Sequence, residues 1–396
     1  MVIREYSKVE LVFSSSESEA VKIALVNLRR DLIRTLDCSV TAGGIIRILV
    51  GTVGNLPELD EKADISKLRA EDGTYRKEAF LIQEKDGELL IVGTDRRGTI
   101  YGIYDFCEWL GVSPWYFFAD VPVRRRSEAV IENGYCKVDY PSVEYRGIFI
   151  NDEEELEHWV WRYMGETTIG VKTYEKIFEL LLRLKLNYIW PAMHVNSFNL
   201  KQENGALANR MGIVVGTSHC DMLMRSNNRE WKPWLANKGY TDVEYDFSIP
   251  GRNREILKEY WRESVEQNRD FEVSYTVGMR GIHDSGFETK SLEGLTGEKL
   301  LKAKIELLES VMAAQQEILS ETLDTEPMKT FVPYKEVLEL YDNGLKVPED
   351  LTLIWTNDNY GYVRRYPGEK EKARKSGNGI YYHNSYWAPP GASYLF

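Results

Sequence analysis

The sequence predicts an α/β protein: a small N-terminal α/β sandwich followed by a (β/α)8 TIM-type barrel that lacks its last strand. Three observations carry this. Short apolar runs of β type alternate with helical stretches, the pattern of a parallel sheet with crossover helices. Polar side chains recur where those runs end: four of the five histidines, His194, His219, His283 and His383, stand there, and carboxylates take the same place on other runs. The chain of 396 residues also exceeds the roughly 250 residues of a barrel, which leaves room for a second domain.

Residues 1–140 form the accessory domain in this reading. Val9 to Ser14 reads as a strand, Ser18 to Leu36 as an amphipathic helix and Ile45 to Gly51 as a second strand. Ala79 to Glu84 and Leu89 to Gly93 flank Asp86-Gly87 as a hairpin, and Gly98 to Leu110 forms a second helix. The stretch from Pro122 to Pro141, with its arginine run and Asn133-Gly134, marks the boundary.

Residues 141–396 form the barrel. Its strands are the runs 145–152, 188–194, 213–219, 273–280, 330–336, 351–358 and 379–383. Each is a nearly continuous apolar run, as expected of strands covered on both faces. Helices at 174–186, 204–211, 252–268, 298–322, 335–341 and 367–375 connect them. Seven strands are one short of closure, so the chain is expected to be part of a longer protein. The segment from Gly216 to Gly251 is a long insertion after the third strand, carrying Trp231 and Trp234 as loop packing. Long loops on this side of a barrel shape the substrate pocket.

Composition narrows the function. A net charge of -12 argues against a nucleic-acid or anionic-membrane partner, both of which require a concentrated basic face. The four cysteines, Cys38, Cys107, Cys136 and Cys220, have neither metal nor disulfide spacing, which fits a reducing compartment. The first residues lack a signal-peptide pattern, so a cytoplasmic location is expected, or a secreted one if a leader has been removed. No His-x-His pair ends the first strand and no glycine-rich phosphate loop follows any strand, so neither a catalytic metal nor a nucleotide cofactor is expected.

The strand-end set holds the acids Asp152, Asp284, Glu336 and Asp358, the histidines, Arg280 and the aromatics Tyr188, Trp190, Tyr334, Tyr360 and Tyr382. Paired carboxylates with aromatic walls suit glycoside hydrolysis, in which one acid protonates the leaving oxygen while another activates water or attacks carbon. Each group also has a structural alternative. An acid at a strand end caps the next helix or pairs with arginine, Asp152 stands before a run of glutamates suited to a helix N-terminus, and His194 and His219 also fit as satisfied polar groups near the core.

Several segments closely resemble glycoside hydrolase family 115. They are Tyr145-Arg-Gly-Ile-Phe-Ile-Asn-Asp-Glu, the stretch Glu179 to Met193, Gly216-Thr-Ser-His, Thr276-Val-Gly-Met-Arg-Gly, Pro333-Tyr-Lys-Glu-Val, Trp355-Thr-Asn-Asp-Asn-Tyr-Gly-Tyr-Val-Arg-Arg and Tyr381-Tyr-His-Asn-Ser-Tyr, in order through residues 145 to 394. Gly93-Thr-Asp-Arg-Arg-Gly98 also looks like the accessory domain that precedes the barrel in this and several hexosaminidase-type families.

The resemblance implies an α-glucuronidase that removes glucuronic or 4-O-methylglucuronic acid, α-1,2-linked, from glucuronoxylan or aldouronic oligosaccharides. It implies inversion without a cofactor, the carboxyls about 6.5–9.5 Å apart, and a homodimer in the full-length protein. Carried over residue by residue, Glu336 matches the general acid and Asp284 the group that activates water, with the reverse assignment open. Asp152, Trp190, His194, His219, Arg280, Tyr334, Asp358, Arg364 and His383 are the substrate-binding set. Of these, Arg280, His219, Arg364 and His383 are candidates for the substrate's own carboxylate. The chain departs from the family pattern at His219-Cys220-Asp221-Met222 and at Asn357. Another exo-glycosidase such as a hexosaminidase, and an inactive sugar-binding remnant, are the competing readings.

Overall fold

The computed structural model describes residues 1–150, 153–358 and 360–384. The chain divides into two compact units. The first comprises Met1–Gly147, Val171–Tyr188 and Leu207–Ile213, and the second Ile148–Gly170, Ile189–Ala206 and Val214–Phe396.

The first unit is built on a six-stranded sheet in the order Ser39–Val40, Lys8–Val12, Ile46–Thr52, Glu88–Gly93, Phe80–Lys85, Cys136–Asp139. The first four strands run parallel and the remaining two pairings are antiparallel. The helix Glu19–Leu36 begins where Ser18 accepts the Val21 N–H and ends at Asp37 in a left-handed conformation. The helix Arg96–Leu110 is capped by Asp95, which accepts the Gly98 N–H at 2.9 Å, and ends at Gly111. A Cβ on Gly93 would lie 1.9 Å from the Thr99 nitrogen, and one on Gly98 would lie 2.3 Å from the Ala79 carbonyl oxygen. The Gly93–Gly98 motif is therefore glycine at both ends because strand and helix backbones touch there.

The helix Val171–Arg183 belongs to this first unit and explains its composition. Arg183 donates to Asp31 at 2.6 Å and to Glu179 at 2.9 Å, and Arg30 and the Tyr116 hydroxyl also reach Glu179, at 2.7 and 2.9 Å. Burial opposes the Glu179 charge, but the two arginines dominate and bring its pKa down to about 2.

The strands expected at residues 141–396 are present but short. Gly147–Phe149, Tyr188–Trp190 and Val214–Val215 make a three-stranded sheet. Ser274–Thr276, Met328–Phe331, Thr352–Thr356 and Asn378–Tyr381 make a four-stranded sheet, parallel throughout. A single parallel bridge, Val215 to Val273, links the two sheets. One closed barrel sheet is thus not seen among the described residues, because the strands leave the ladder after two to five residues. The polar ends of the expected runs belong to the loops instead. His194 and His219 lie four residues past their strands, and His283 seven. The helices Arg252–Asn268, Gly297–Thr322 and Glu336–Asp342 follow the strands as expected.

The insertion holds the helix Trp231–Lys238. Trp231 and Trp234 are buried against Tyr260, with ring centroids 5.0 and 5.1 Å away, so they pack the loop. Among the described residues no helix is long and apolar enough to cross a membrane.

Candidate active site

Arg280 is the centre of the site. It follows the strand Ser274–Thr276 and is only 3% exposed. Its Nε and Nη2 donate to Glu336 Oε1 and Oε2 at 2.9 and 2.8 Å, and its Nη1 pairs with Asp284. A buried guanidinium is tolerated only when its charge is matched, and here two carboxylates match it.

Glu336 opens the helix Glu336–Asp342 and also accepts the Phe287 N–H at 3.2 Å. Its half-burial favours the neutral acid, yet the bidentate Arg280 pair outweighs this and holds the carboxyl below its ordinary range. Asp284 accepts His219 Nε2 at 2.8 Å on one oxygen and Lys335 Nζ at 2.8 Å on the other.

His219 is buried. Burial, together with the charges of Arg280 and Lys335, brings its pKa down to about 3. The Glu336 charge acts in the opposite sense but is outweighed, and a neutral ring with its proton on Nε2 satisfies the Asp284 carboxylate. Nδ1 is then a bare acceptor, buried and without a hydrogen-bond partner among the described residues. The ring rests on Tyr334, with centroids 4.5 Å apart. Lys335 Nζ lies 5.1 Å from the centre of the same phenol ring, and burial with the Arg280 charge lowers the ammonium's pKa.

The backbone here is strained. His283 and Asp284 have φ of 57° and 60°, and Lys335 combines φ 51° with ψ -124°. Non-glycine residues hold such conformations only when their surroundings fix them, and they cluster at working sites.

His194 and His283 meet beside this cluster, with Nε2 atoms 3.3 Å apart and Glu154 Oε1 3.5 Å from His194. Glu153, 1% exposed, accepts the backbone N–H of His194 and both the backbone and side-chain N–H of Asn196. It therefore fixes the loop that carries His194. Among the described residues no group of three or more His, Cys, Asp or Glu side chains is placed to hold a metal ion.

The remaining expected residues are placed differently. Trp190 is buried in a ring cluster with Phe149 and Tyr381, at 5.5 and 5.3 Å, so its faces are covered by protein. Asp358 accepts the N–H groups of Tyr360 and Tyr362 at 2.9 Å each and pairs with Arg364 at 2.5 Å. Slight burial works against its charge, and the donors prevail to lower its pKa. His383 is held through its backbone, its N–H donating to Asn357 Oδ1 at 2.8 Å. Asp152 lies outside the described residues.

His219, Arg280, Asp284, Tyr334 and Glu336 thus converge, with His194 alongside through His283. Lys335 was missed, although it stands between two strand-end residues that were named. Glu153 was read only as part of an acidic stretch.

Residues 138–395 match the family described as glycosyl hydrolase family 115. Among solved structures, the chain is similar to a family GH115 4-O-methyl-alpha-glucuronidase with specificity for decorated arabinogalactans. Identity is 36% and the TM-score 0.87, over 100% of this chain and 51% of that one. It is also similar to a beta-N-acetylhexosaminidase from Bacteroides fragilis NCTC 9343, at 14% identity and a TM-score of 0.50, over 90% of this chain and 67% of that one. That second likeness speaks for the fold alone. No curated protein matches. The chain spans about half the length of the solved glucuronidase it matches.

Proposed function

Because the chain belongs to glycoside hydrolase family 115, we propose that it forms the catalytic part of an α-glucuronidase releasing glucuronic or 4-O-methylglucuronic acid from a decorated glycan. The observation that carries the reading is the pairing of Asp284 and Glu336 on one buried arginine, in the segments that follow the strands. Glucuronoxylan, aldouronic oligosaccharides and decorated arabinogalactan are the substrates to compare, with an α-1,2 linkage.

Asp284 activates water, in this reading, and Glu336 protonates the leaving oxygen, giving inversion. The acid role sets a condition, since the Arg280 pair lowers the Glu336 pKa and so favours its ionised form. A uronate brings its own carboxylate, and Arg280 and Lys335 are the cations it would attract. If Arg280 turns to the substrate, Glu336 is left half-buried without its cation, and burial then raises its pKa towards the range a general acid needs. His219 orients Asp284 through Nε2. Tyr334 closes the same wall. Arg364, His383 and Asp358 would line the outer rim.

The seven strands are read as one incomplete (β/α) barrel. What supports this is Tyr381 from the last strand, whose ring meets Phe149 of the first strand at 5.6 Å and Trp190 of the second at 5.3 Å.

The test is incubation of the natural protein containing this chain with each glycan, followed by proton NMR of the fresh product. Free uronic acid appearing first as the β-anomer supports an inverting α-glucuronidase. The α-anomer first would remove inversion, and no uronic acid from any of the glycans would remove the activity.

A further inference from the structure

We propose that Asn227 is a positioning residue for this reaction, holding the strained His283–Asp284 backbone so that the Asp284 carboxylate faces its partners. The role rests on the reading of Asp284 as a substrate-facing carboxylate.

Asn227 lies in the long insertion and is 2% exposed. Its side-chain amide donates to the carbonyl oxygens of Cys220 and Gly281, at 2.9 and 3.1 Å. Its Oδ1 accepts the His283 N–H at 3.0 Å, and its own backbone N–H donates to Asp221 at 3.1 Å. One side chain thus ties the loop carrying His219 to the loop carrying Asp284.

The flanking residues tie a third loop to the same segment. Ser226 Oγ donates to the Met193 carbonyl at 3.0 Å and Asn228 Nδ2 to the His194 carbonyl at 3.1 Å, while Arg229 reaches the Val195 carbonyl. The segment is anchored from below by the Tyr260 hydroxyl, which donates to the Ser226 carbonyl at 3.1 Å.

The chemistry calls for an amide. Two donors and one acceptor are used at once, which neither a carboxylate nor a hydroxyl supplies, and glutamine would push the group out by a methylene. The two positive φ values at His283 and Asp284 have no glycine to ease them, so external bonds must hold them. Removing those bonds lets Asp284 shift, and a shift of about 1 Å at a reacting group costs on the order of 10²-fold in rate.

The experiment uses the natural protein containing this chain and the variants Asn227→Asp and Asn227→Ala. Two readouts are taken: steady-state kinetics on the best glycan, and amide hydrogen exchange resolved to residues 281–285. Asn227→Asp is expected to lower kcat about 10- to 100-fold with KM within about twofold. Exchange at 281–285 should quicken while the helix Arg252–Asn268 keeps its protection. Unchanged exchange at 281–285, or protection lost evenly across the unit, overturns the proposal. So does failure of both variants to fold, because Asn227 would then hold the unit rather than the loop. Should the unaltered protein release no uronic acid, the glucuronidase reading fails, and the exchange data still decide whether Asn227 holds the loop.

Discussion

Arg280 and Glu336 form a two-point pair, Nε to Oε1 at 2.9 Å and Nη2 to Oε2 at 2.8 Å, and the nitrogen left over meets Asp284. One buried cation therefore pairs with both candidate catalytic carboxylates, and it favours the ionised form of Glu336. Changes at Arg280 should move the acid–base behaviour of the site, and changes at either carboxylate should unbalance the arginine.

Glu336→Gln and Asp284→Asn keep the shape of each group and remove its proton chemistry. Each is expected to lower kcat by roughly 10²- to 10⁴-fold, the usual contribution of a general acid or base. Steady-state kinetics on an aldouronic oligosaccharide checks this, and a rate within threefold of the parent for either variant would remove that residue from the reaction.

Arg280→Lys replaces a planar fork with a single ammonium, so the bidentate pair with Glu336 is lost. The pair lowers the Glu336 pKa, so its loss must raise it. The limb of the kcat/KM profile that depends on Glu336 should then move to higher pH, by about one unit. The position of the limb is the readout, because substrate binding will weaken as well.

Asp221 is fully enclosed, and burial pushes its pKa up to about 8. In the unfolded chain an aspartate titrates near about 3.9. Between those values the folded protein binds the extra proton, so stability falls as pH rises through the window and levels off above about 8. Asp221→Asn mimics the neutral acid and should flatten that fall, leaving the variant the more stable protein at pH 8. Urea melts of both proteins at pH 5 and pH 8 would show it, and parallel losses in the two would refute it.

In the first unit, Asp31→Ala strips a partner from Arg183, whose side chain is 2% exposed. A buried cation left short of its partner costs about 3 kcal/mol. The melting temperature should drop by several degrees, and an unchanged value would show that Glu179 alone suffices to hold the arginine.

Several elements of the first unit were legible because their signals are local, although the helix Val171–Arg183, read as a barrel crossover, belongs to that unit. The Asp86-Gly87 hairpin, the helices near residues 18–36 and 98–110, and Gly93 and Gly98 at a strand–helix contact all follow from neighbours in sequence. The alternation of strand and helix after residue 145 was legible for the same reason, and so was the place of His219, Arg280, Tyr334 and Glu336 in the segments that follow the strands. Strand lengths were overread: an apolar run continues past the point where the ladder stops, since periodicity reports burial rather than pairing.

By itself, then, the sequence determined the order of elements and the family, because turn chemistry, apolar periodicity and strand-end motifs are written in consecutive residues. The tertiary structure alone decided which groups meet. Asp284 lies 65 residues from His219 and 51 from Lys335, Arg280 lies 56 residues from Glu336, and Asn227 reaches His283 across 56 more. No local pattern encodes such distances. The shifts in ionisation followed from them too: the Arg280 pair lowers the Glu336 pKa, and burial with the Arg280 and Lys335 charges lowers that of His219.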